Sequence, residues 1–199
     1  MTVSILEMPK FLAVTGREAS GKDSYVAHLV ERGYLHIAAG DVMRERARQA
    51  GYEGELTRDI LSKVGDEFKA EFGSSPITTS SVEAYEQQVE MYPAGLVISG
   101  LRRVGEIKAF KERGAVVLWV DANPERRFAR QQERARGDSN MTIEEFERMS
   151  NKEYYGAGDG NAEGVNLQAV EALADIRVGN NGSLEEFLAA ADDALHQSV

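Results

Sequence analysis

The chain has 199 residues, of which 42% are hydrophobic and 28% are charged, and this length and composition fit a single compact domain. Its 33 acidic residues outnumber its 23 lysines and arginines, and the formal net charge of -10 argues against a general nucleic-acid-binding surface. There is no cysteine for a disulfide or thiolate metal site, and the longest apolar run, residues 115–120, is too short to cross a bilayer. We therefore expect a cytoplasmic protein without a targeting segment.

Five short apolar runs have the length of buried strands. Helical periodicity separates them, and two of the intervening segments show it clearly. The predicted strands cover residues 11–15, 34–37, 96–99, 115–120 and 175–178, and the helical spacings are Val26, Leu29 and Val30, then Val104, Ile107 and Phe110. Such alternation of strands and helices predicts a parallel α/β sheet with crossover helices.

Capping signals predict where three further helices begin. An asparagine followed by proline predicts the start of one helix. The other two starts are each predicted by a serine or threonine with a glutamate three positions later, the spacing of a capping box. These signals are Asn123 with Pro124, Thr142 with Glu145, and Ser183 with Glu186.

Two segments are too long or too polar to be simple connections. Residues 41–93 separate the second and third strands, and their apolar spacing at Ile60, Leu61, Val64 and Phe68 predicts a helical insertion. The second segment, residues 134–165, contains glycine-rich polar stretches at 137–140 and 156–164, which we predict to be hinges.

The segment of residues 16–22 matches the pattern G-x-x-x-x-G-K and lies between a predicted strand and a predicted helix. Successive backbone N–H groups and the helix N-terminus favour an anion there, and the lysine can reach the outer phosphates of a nucleoside triphosphate. An ordinary glycine turn is the alternative interpretation. The residues predicted to bind the phosphates are Gly16, Arg17, Glu18, Ala19, Ser20, Gly21 and Lys22.

The position after the lysine is unusual. It normally carries a serine or threonine hydroxyl that faces magnesium, but here it is Asp23, and the hydroxyl follows only at Ser24. Neighbouring helix positions point about 100° apart, so the two side chains cannot share one role. Asp23 is therefore predicted either to approach Mg²⁺ or to stabilise the positive end of the helix dipole.

With these motifs the chain resembles the nucleoside monophosphate kinase superfamily, including adenylate kinase-like and deoxynucleoside monophosphate kinase-like proteins. Residues 40–44, G-D-V-M-R, resemble its G-D-x-x-R element, and residues 99–103, S-G-L-R-R, resemble its D-G-x-x-R element. The resemblance spans nearly the whole chain. It implies a single P-loop kinase domain over residues 1–199, in which a three-layer α/β fold carries a five-stranded parallel sheet, an acceptor-binding insertion at 41–93 and a mobile lid at 128–165.

The same resemblance implies roles for individual residues. ATP and Mg²⁺ would be the cofactors, a small nucleotide would be the acceptor, and the adenine would lie near Asn180. Arg130 and Arg134 resemble the paired arginines at the base of the family's lid, although they could instead pair with exposed acids. The residues implied for the acceptor site are Asp41, Arg44, Arg102 and Arg103.

The chain also departs from the family pattern. Ser99 stands where the strand-end aspartate usually helps to hold magnesium, and Glu106 lies near the place of a glutamine that adenylate kinases carry. We hypothesise that Asp23 supplies the missing carboxylate from the loop. His28, His36 and His196 lack the spacing of a metal site and are predicted to be structural or exposed, and Trp119, Tyr154 and Tyr155 are predicted to pack.

The preferred hypothesis is transfer of the ATP γ-phosphoryl group to the phosphate of a nucleoside or deoxynucleoside monophosphate, with Lys22, Arg103, Arg130 and Arg134 acting on the transferred charge. One alternative is a hydroxyl kinase similar to dephospho-coenzyme A kinase, in which Asp41 would be the base. The other alternative is a non-catalytic nucleotide-binding regulator, which the departures at Asp23 and Ser99 suggest.

Overall fold

The computed structural model describes residues 8–134, 141–156 and 165–198. The first predicted hinge, residues 137–140, lies outside these ranges. The second, residues 156–164, lies outside them except for Gly156. Within the described ranges, no helix combines the length and the apolarity needed to cross a membrane.

The five predicted strands form one sheet in which every neighbouring pair is parallel. The strands occur in the order β2-β3-β1-β4-β5, so β1 lies at the centre and its carboxyl end opens between β3 and β4. The prediction of a parallel α/β sheet is confirmed. The strand bounds are β1 Phe11–Gly16, β2 Tyr34–Ala38, β3 Gly95–Ser99, β4 Val116–Asp121 and β5 Ile176–Gly179.

Helices connect the strands, and the three predicted helix starts are confirmed. One helix begins at Pro124, and the two predicted capping boxes, at Thr142 and Ser183, are both formed. The helix bounds are α1 Lys22–Glu31, α2 Ala39–Gln49, α3 Arg58–Phe72, α4 Pro76–Glu86, α5 Val104–Lys111, α6 Pro124–Arg134, α7 Ile143–Tyr155, α8 Leu167–Glu171 and α9 Leu184–His196.

Apolar side chains pack on both faces of the sheet, because successive residues of a strand point to opposite sides. Ala13 of β1 joins one buried cluster with Ile107 and Phe110 of α5, whereas Leu12 joins another with Leu29 of α1. Burial on both faces explains why the strands read as nearly continuous apolar runs. The predicted helix face was wrong at Val30, which is 45% exposed, because the buried face of α1 is formed by Tyr25, Val26 and Leu29.

Residues 41–93 contain the greater part of α2 together with α3 and α4, which confirms their helical character. The buried carboxylate of Glu106 in α5 ties this region to the core. It accepts hydrogen bonds from the backbone N–H groups of Ile77 at 3.1 Å and Thr78 at 2.8 Å, in the first turn of α4. These amides have no partner within their own helix. Glu106 thus stabilises the start of α4.

Candidate nucleotide-binding site

The loop of residues 16–22 joins β1 to α1, so the predicted strand-loop-helix context is confirmed. Gly16 has φ 144°, and a Cβ atom there would lie 1.9 Å from the Val120 carbonyl oxygen of β4. Gly21 precedes α1 with φ 102°, and Ala19 also has a positive φ of 55°. Glycine at position 16 is therefore required by the close approach of the neighbouring strand.

Lys22 is the first residue of α1 and folds back over the loop. Its Nζ donates a hydrogen bond to the Arg17 carbonyl oxygen at 2.7 Å. Burial removes water from the ammonium group and lowers the pKa of Lys22 to about 8, against a smaller opposing effect of the Asp23 carboxylate. An anion arriving at the loop would stabilise the charged form of this lysine.

Arg130 and Asn180 clamp the loop from the other side. The Arg130 guanidinium donates to the carbonyl oxygens of Ser20 at 3.2 Å and Asn180 at 2.9 Å, and also to the Asn180 side-chain oxygen at 3.1 Å. The Asn180 amide, 4% exposed, donates to the Ser20 carbonyl oxygen at 2.9 Å. A Cβ atom on Gly21 would lie 2.0 Å from that amide nitrogen. Arg130 therefore holds three chain segments together at the site.

Arg134 lies one turn further along α6 and pairs with the loop helix. Its Nη2 lies 2.9 Å from the Asp23 Oδ2 in the first turn of α1, and both side chains are exposed. Asp23 thus has a third role besides the two predicted from the sequence, because it holds a predicted catalytic arginine. Ser24 is also exposed at the start of α1, and the buried Ser20 hydroxyl has no hydrogen-bond partner among the described residues.

Two of the three arginines predicted for the acceptor site already face carboxylates. Arg44 pairs with Asp41 within α2, and Arg102 pairs with Glu153 of α7. The remaining arginine, Arg103, precedes α5, and no hydrogen bond or ion pair joins its guanidinium to another residue within the described ranges. The positive charge of the arginines predicted to bind the acceptor is therefore largely neutralised by carboxylates of the chain itself.

The end of β3 carries a contact that sequence reasoning missed. The His36 Nε2 lies 2.9 Å from the Ser99 hydroxyl, across the parallel pair of β2 and β3. Burial lowers the pKa of His36, against smaller opposing effects of Asp41 and Asp23. The neutral imidazole can accept a hydrogen bond from the Ser99 hydroxyl. The register of the predicted strands could have indicated this contact, because residues 36 and 99 both lie near the carboxyl edge of the parallel sheet.

Helix α7 covers the phosphate loop, and its contacts were also missed. The Arg17 guanidinium lies 4.5 Å from the centre of the Tyr154 ring and donates a hydrogen bond to Asn151. The buried Arg127 of α6 donates to the Ser150 hydroxyl at 2.8 Å. These positions share one face of α7, but no pattern in the sequence indicates that this face meets the loop.

Few oxygen donors are available here for a magnesium ion. Asp23 offers a carboxylate in the first turn of α1, and the next residue, Ser24, offers a hydroxyl that points about 100° away from it. The Ser99 hydroxyl, at the end of β3, lies beside His36. Within the described residues, no group of three or more histidine, aspartate or glutamate side chains could hold a metal on its own. Mg²⁺ commonly keeps several waters and binds through one or two carboxylates plus substrate phosphates, which suits this sparse set of donors.

No protein-family model matches the chain. Among curated proteins, it is 32% identical over 179 residues to the UPF0200 protein TK1334 of Thermococcus kodakarensis, with 87% of this chain and 90% of the relative covered. It is also 32% identical over 187 residues to a UPF0200 protein of Methanoregula boonei, covering 93% and 95% of the two chains.

Solved structures share the fold at low sequence identity. The Thermus thermophilus protein TT1252 matches with a TM-score of 0.57 at 21% identity, covering 96% of this chain and 99% of that one. A gluconokinase from Sinorhizobium meliloti matches at 0.54 and 15% identity, covering 96% and 94%. A shikimate kinase from Acinetobacter baumannii matches at 0.51 and 14% identity, covering 97% and 96%. The predicted P-loop kinase fold is confirmed.

Proposed function

The chain belongs to the UPF0200 family, and we propose that it is a cytoplasmic phosphotransferase that moves the γ-phosphoryl group of ATP to the phosphate of a nucleoside or deoxynucleoside monophosphate. The observation that carries this proposal is Lys22 at the start of α1, which is partly buried against the loop that Arg130 and Asn180 hold from the other side. A lysine that has lost part of its hydration, with its pKa lowered by burial, is suited to meet the charge of a triphosphate.

On the donor side, each residue has a distinct task. Lys22 would bind the outer phosphates, and Arg130 would position the loop through its carbonyl oxygens. Arg134 would leave Asp23 and neutralise charge on the transferred group. When bound, Mg²⁺ supplies charge neutralisation between the phosphates. Asp23 would hold its hydration shell.

On the acceptor side, Arg103 and Arg44 would bind the acceptor phosphate, together with Arg102 once it is released from Glu153. The second pKa of a phosphate monoester is about 6, so its oxygen is already ionised at neutral pH and needs no base. Catalysis would then rest on positioning and charge neutralisation.

A hydroxyl acceptor is the second candidate. The pairing of Arg44 with Asp41 and of Arg102 with Glu153 leaves little free positive charge for an acceptor phosphate. The gluconokinase and the shikimate kinase that share the fold are named for acceptors that carry hydroxyl groups. In this case Asp41 would serve as the base.

A coupled assay with ATP and Mg²⁺ tests the proposal. The acceptors are the common ribo- and deoxyribonucleoside monophosphates, dephospho-coenzyme A, gluconate and shikimate, with a no-acceptor control. Turnover with a monophosphate above the control supports the proposed function. Turnover only with a hydroxyl acceptor would replace it with the second candidate, and nucleotide binding without turnover would favour a regulator.

Arg134→Ala should lower kcat by about 10²- to 10³-fold, the usual effect of removing one transition-state donor, with little change in the KM for ATP. Arg130→Ala should instead chiefly raise the KM for ATP, because its bonds to Ser20 and Asn180 are present before the reaction begins. Arg126→Ala, on the exposed side of α6, is the matched control. Small and equal effects at all three positions would mean that these arginines only form a solvated helix face.

Asp23→Asn should raise the magnesium concentration needed for half-maximal turnover, because a carboxylate that faces the metal hydrate would be lost. Adding Ser99→Asp in an Asp23→Ser background should restore part of the loss. Asp193→Asn, at an exposed position of α9, controls for the change in charge. An unaltered magnesium dependence would leave Asp23 only its ion pair with Arg134 and its place at the helix dipole.

A further inference from the structure

Glu153 of α7 is placed among the cations of the phosphate loop. It forms an ion pair with Arg102, and its side chain is only 21% exposed whereas that of Arg102 is 55% exposed. The Glu153 carboxylate also acts on Lys22, where it favours the charged ammonium group. A carboxylate of the protein, that of Glu153, therefore lies beside the positive charges that a ligand phosphate would need.

The rest of α7 holds Glu153 in this place. Asn151 and Tyr154 contact Arg17 of the loop, and Ser150 accepts a hydrogen bond from the buried Arg127. Ser150, three residues before Glu153, is its neighbour on the helix surface, whereas Asn151 and Tyr154 fix α7 against the loop on either side of Glu153 in sequence. The carboxylate is thus positioned by contacts on both sides of it in sequence.

A carboxylate in this position opposes phosphate binding in two ways. It occupies the Arg102 guanidinium, which offers several donors in a planar fork that suits both carboxylate and phosphate. It also repels the negative charge that a phosphate would bring to the site. A ligand phosphate must therefore displace Glu153 from Arg102.

We propose that Glu153 is a specificity-determining residue that competes with ligand phosphate for Arg102 and so sets the affinity of the site for polyanions. The inference rests on the proposed nucleotide site. Its consequence is unusual, because removing a charged residue from the site should strengthen ligand binding. Glu153 weakens the binding of inorganic phosphates to the site, whereas a ligand that makes further contacts with the protein still binds.

The test is calorimetric titration of Glu153→Gln with ADP and with inorganic pyrophosphate, each with and without Mg²⁺. We expect both ligands to bind about tenfold more tightly than to the unaltered protein, which corresponds to about 1.4 kcal/mol. Glu112→Gln, at an exposed position after α5, removes the same charge far from α7 in sequence and should leave both affinities unchanged. Circular dichroism verifies that each variant is folded.

An Arg102→Gln background separates competition from simple repulsion. The gain from Glu153→Gln should shrink there to about a third or less of its value, because no guanidinium is left to compete for. Equal affinities of the Glu153→Gln variant and the unaltered protein would overturn the inference but leave the nucleotide site intact. A gain that persists in full without Arg102 would also overturn it. Failure of both ligands to bind any of the proteins would overturn this inference and the proposed function together.

Discussion

Lys22→Ala is expected to lower kcat/KM by at least about 10³-fold, the largest functional effect of any single change we predict. The Lys22 ammonium is the cation placed inside the phosphate loop, where its Nζ already contacts the Arg17 carbonyl oxygen. Partial burial strengthens the attraction between this ammonium group and a phosphate, because less water screens the two charges. Steady-state kinetics with the acceptor identified by the coupled assay measures the loss.

The same change should stabilise the empty protein. The pKa of Lys22 is about 8 in the fold against its ordinary value of 10.5, so between these two pH values the unfolded chain binds more protons. The contribution of this group to stability therefore increases with pH from about 8 to about 10.5, and below pH 8 the fold bears the full cost of burying the charge. Thermal unfolding of Lys22→Ala at pH 7 should show a higher Tm, by about 2–4 °C for each kcal/mol gained.

Lys108→Ala, at an exposed position of α5, provides the control for both measurements and should change neither. Affinity for ADP in the unaltered protein should also weaken as the pH rises through about 8, because Lys22 then loses its proton. Near-normal turnover in a folded Lys22→Ala protein would contradict the assignment of the loop.

Gly16→Ala is expected to have the largest effect on stability, with a loss of about 3 kcal/mol or more. The added Cβ would lie 1.9 Å from the Val120 carbonyl oxygen, and this neighbour is backbone in the centre of the sheet that cannot move aside as a side chain can. Either β1 and β4 separate at the site or the loop changes its path. Chemical denaturation measures the loss, and ADP binding should disappear with it.

Gly51→Ala is the matched control for this substitution. Gly51 also has a positive φ, of 83°, but a Cβ there would meet nothing within 4 Å. Backbone strain alone should then cost about 1–2 kcal/mol. If both variants lost the same stability, the contact with Val120 would contribute nothing and position 16 would tolerate a side chain.

The sheet and the loop could be predicted because their signals are local. The residues that form a strand, a glycine turn or a helix cap lie within a few positions of one another in the sequence. Thr142 and Glu145, which cap one helix, are an example. The partners of the site's charges could not be predicted, since Arg102 meets Glu153 51 residues later, and Asp23 meets Arg134 across 111 residues. Residue type and spacing identify the arginines as candidates, but no local pattern identifies the carboxylates that hold them.

The helical character of residues 41–93 was predicted by the same local logic, whereas the attachment of this region was not. Apolar spacing indicated a helix through Val64 and Phe68, and both residues are buried in α3. The residue that fastens the region, Glu106, was noticed only as a departure from the family pattern. Its two hydrogen bonds reach back 29 and 28 residues to the start of α4, a distance at which no periodic signal operates.

The clamp on the phosphate loop also bears on the order in which the molecule is assembled. The Ser20 carbonyl oxygen of the loop is held by Arg130 from 110 residues later and by Asn180 from 160 residues later. Contacts between such distant segments form late, because the intervening chain must first be ordered. During synthesis the loop therefore leaves the ribosome before the residues that clamp it, and it reaches its working shape only after they have packed against it. A nascent chain that ends before β5 has every residue of the nucleotide motif, and Arg130, but it lacks Asn180, whose amide holds the Ser20 carbonyl oxygen.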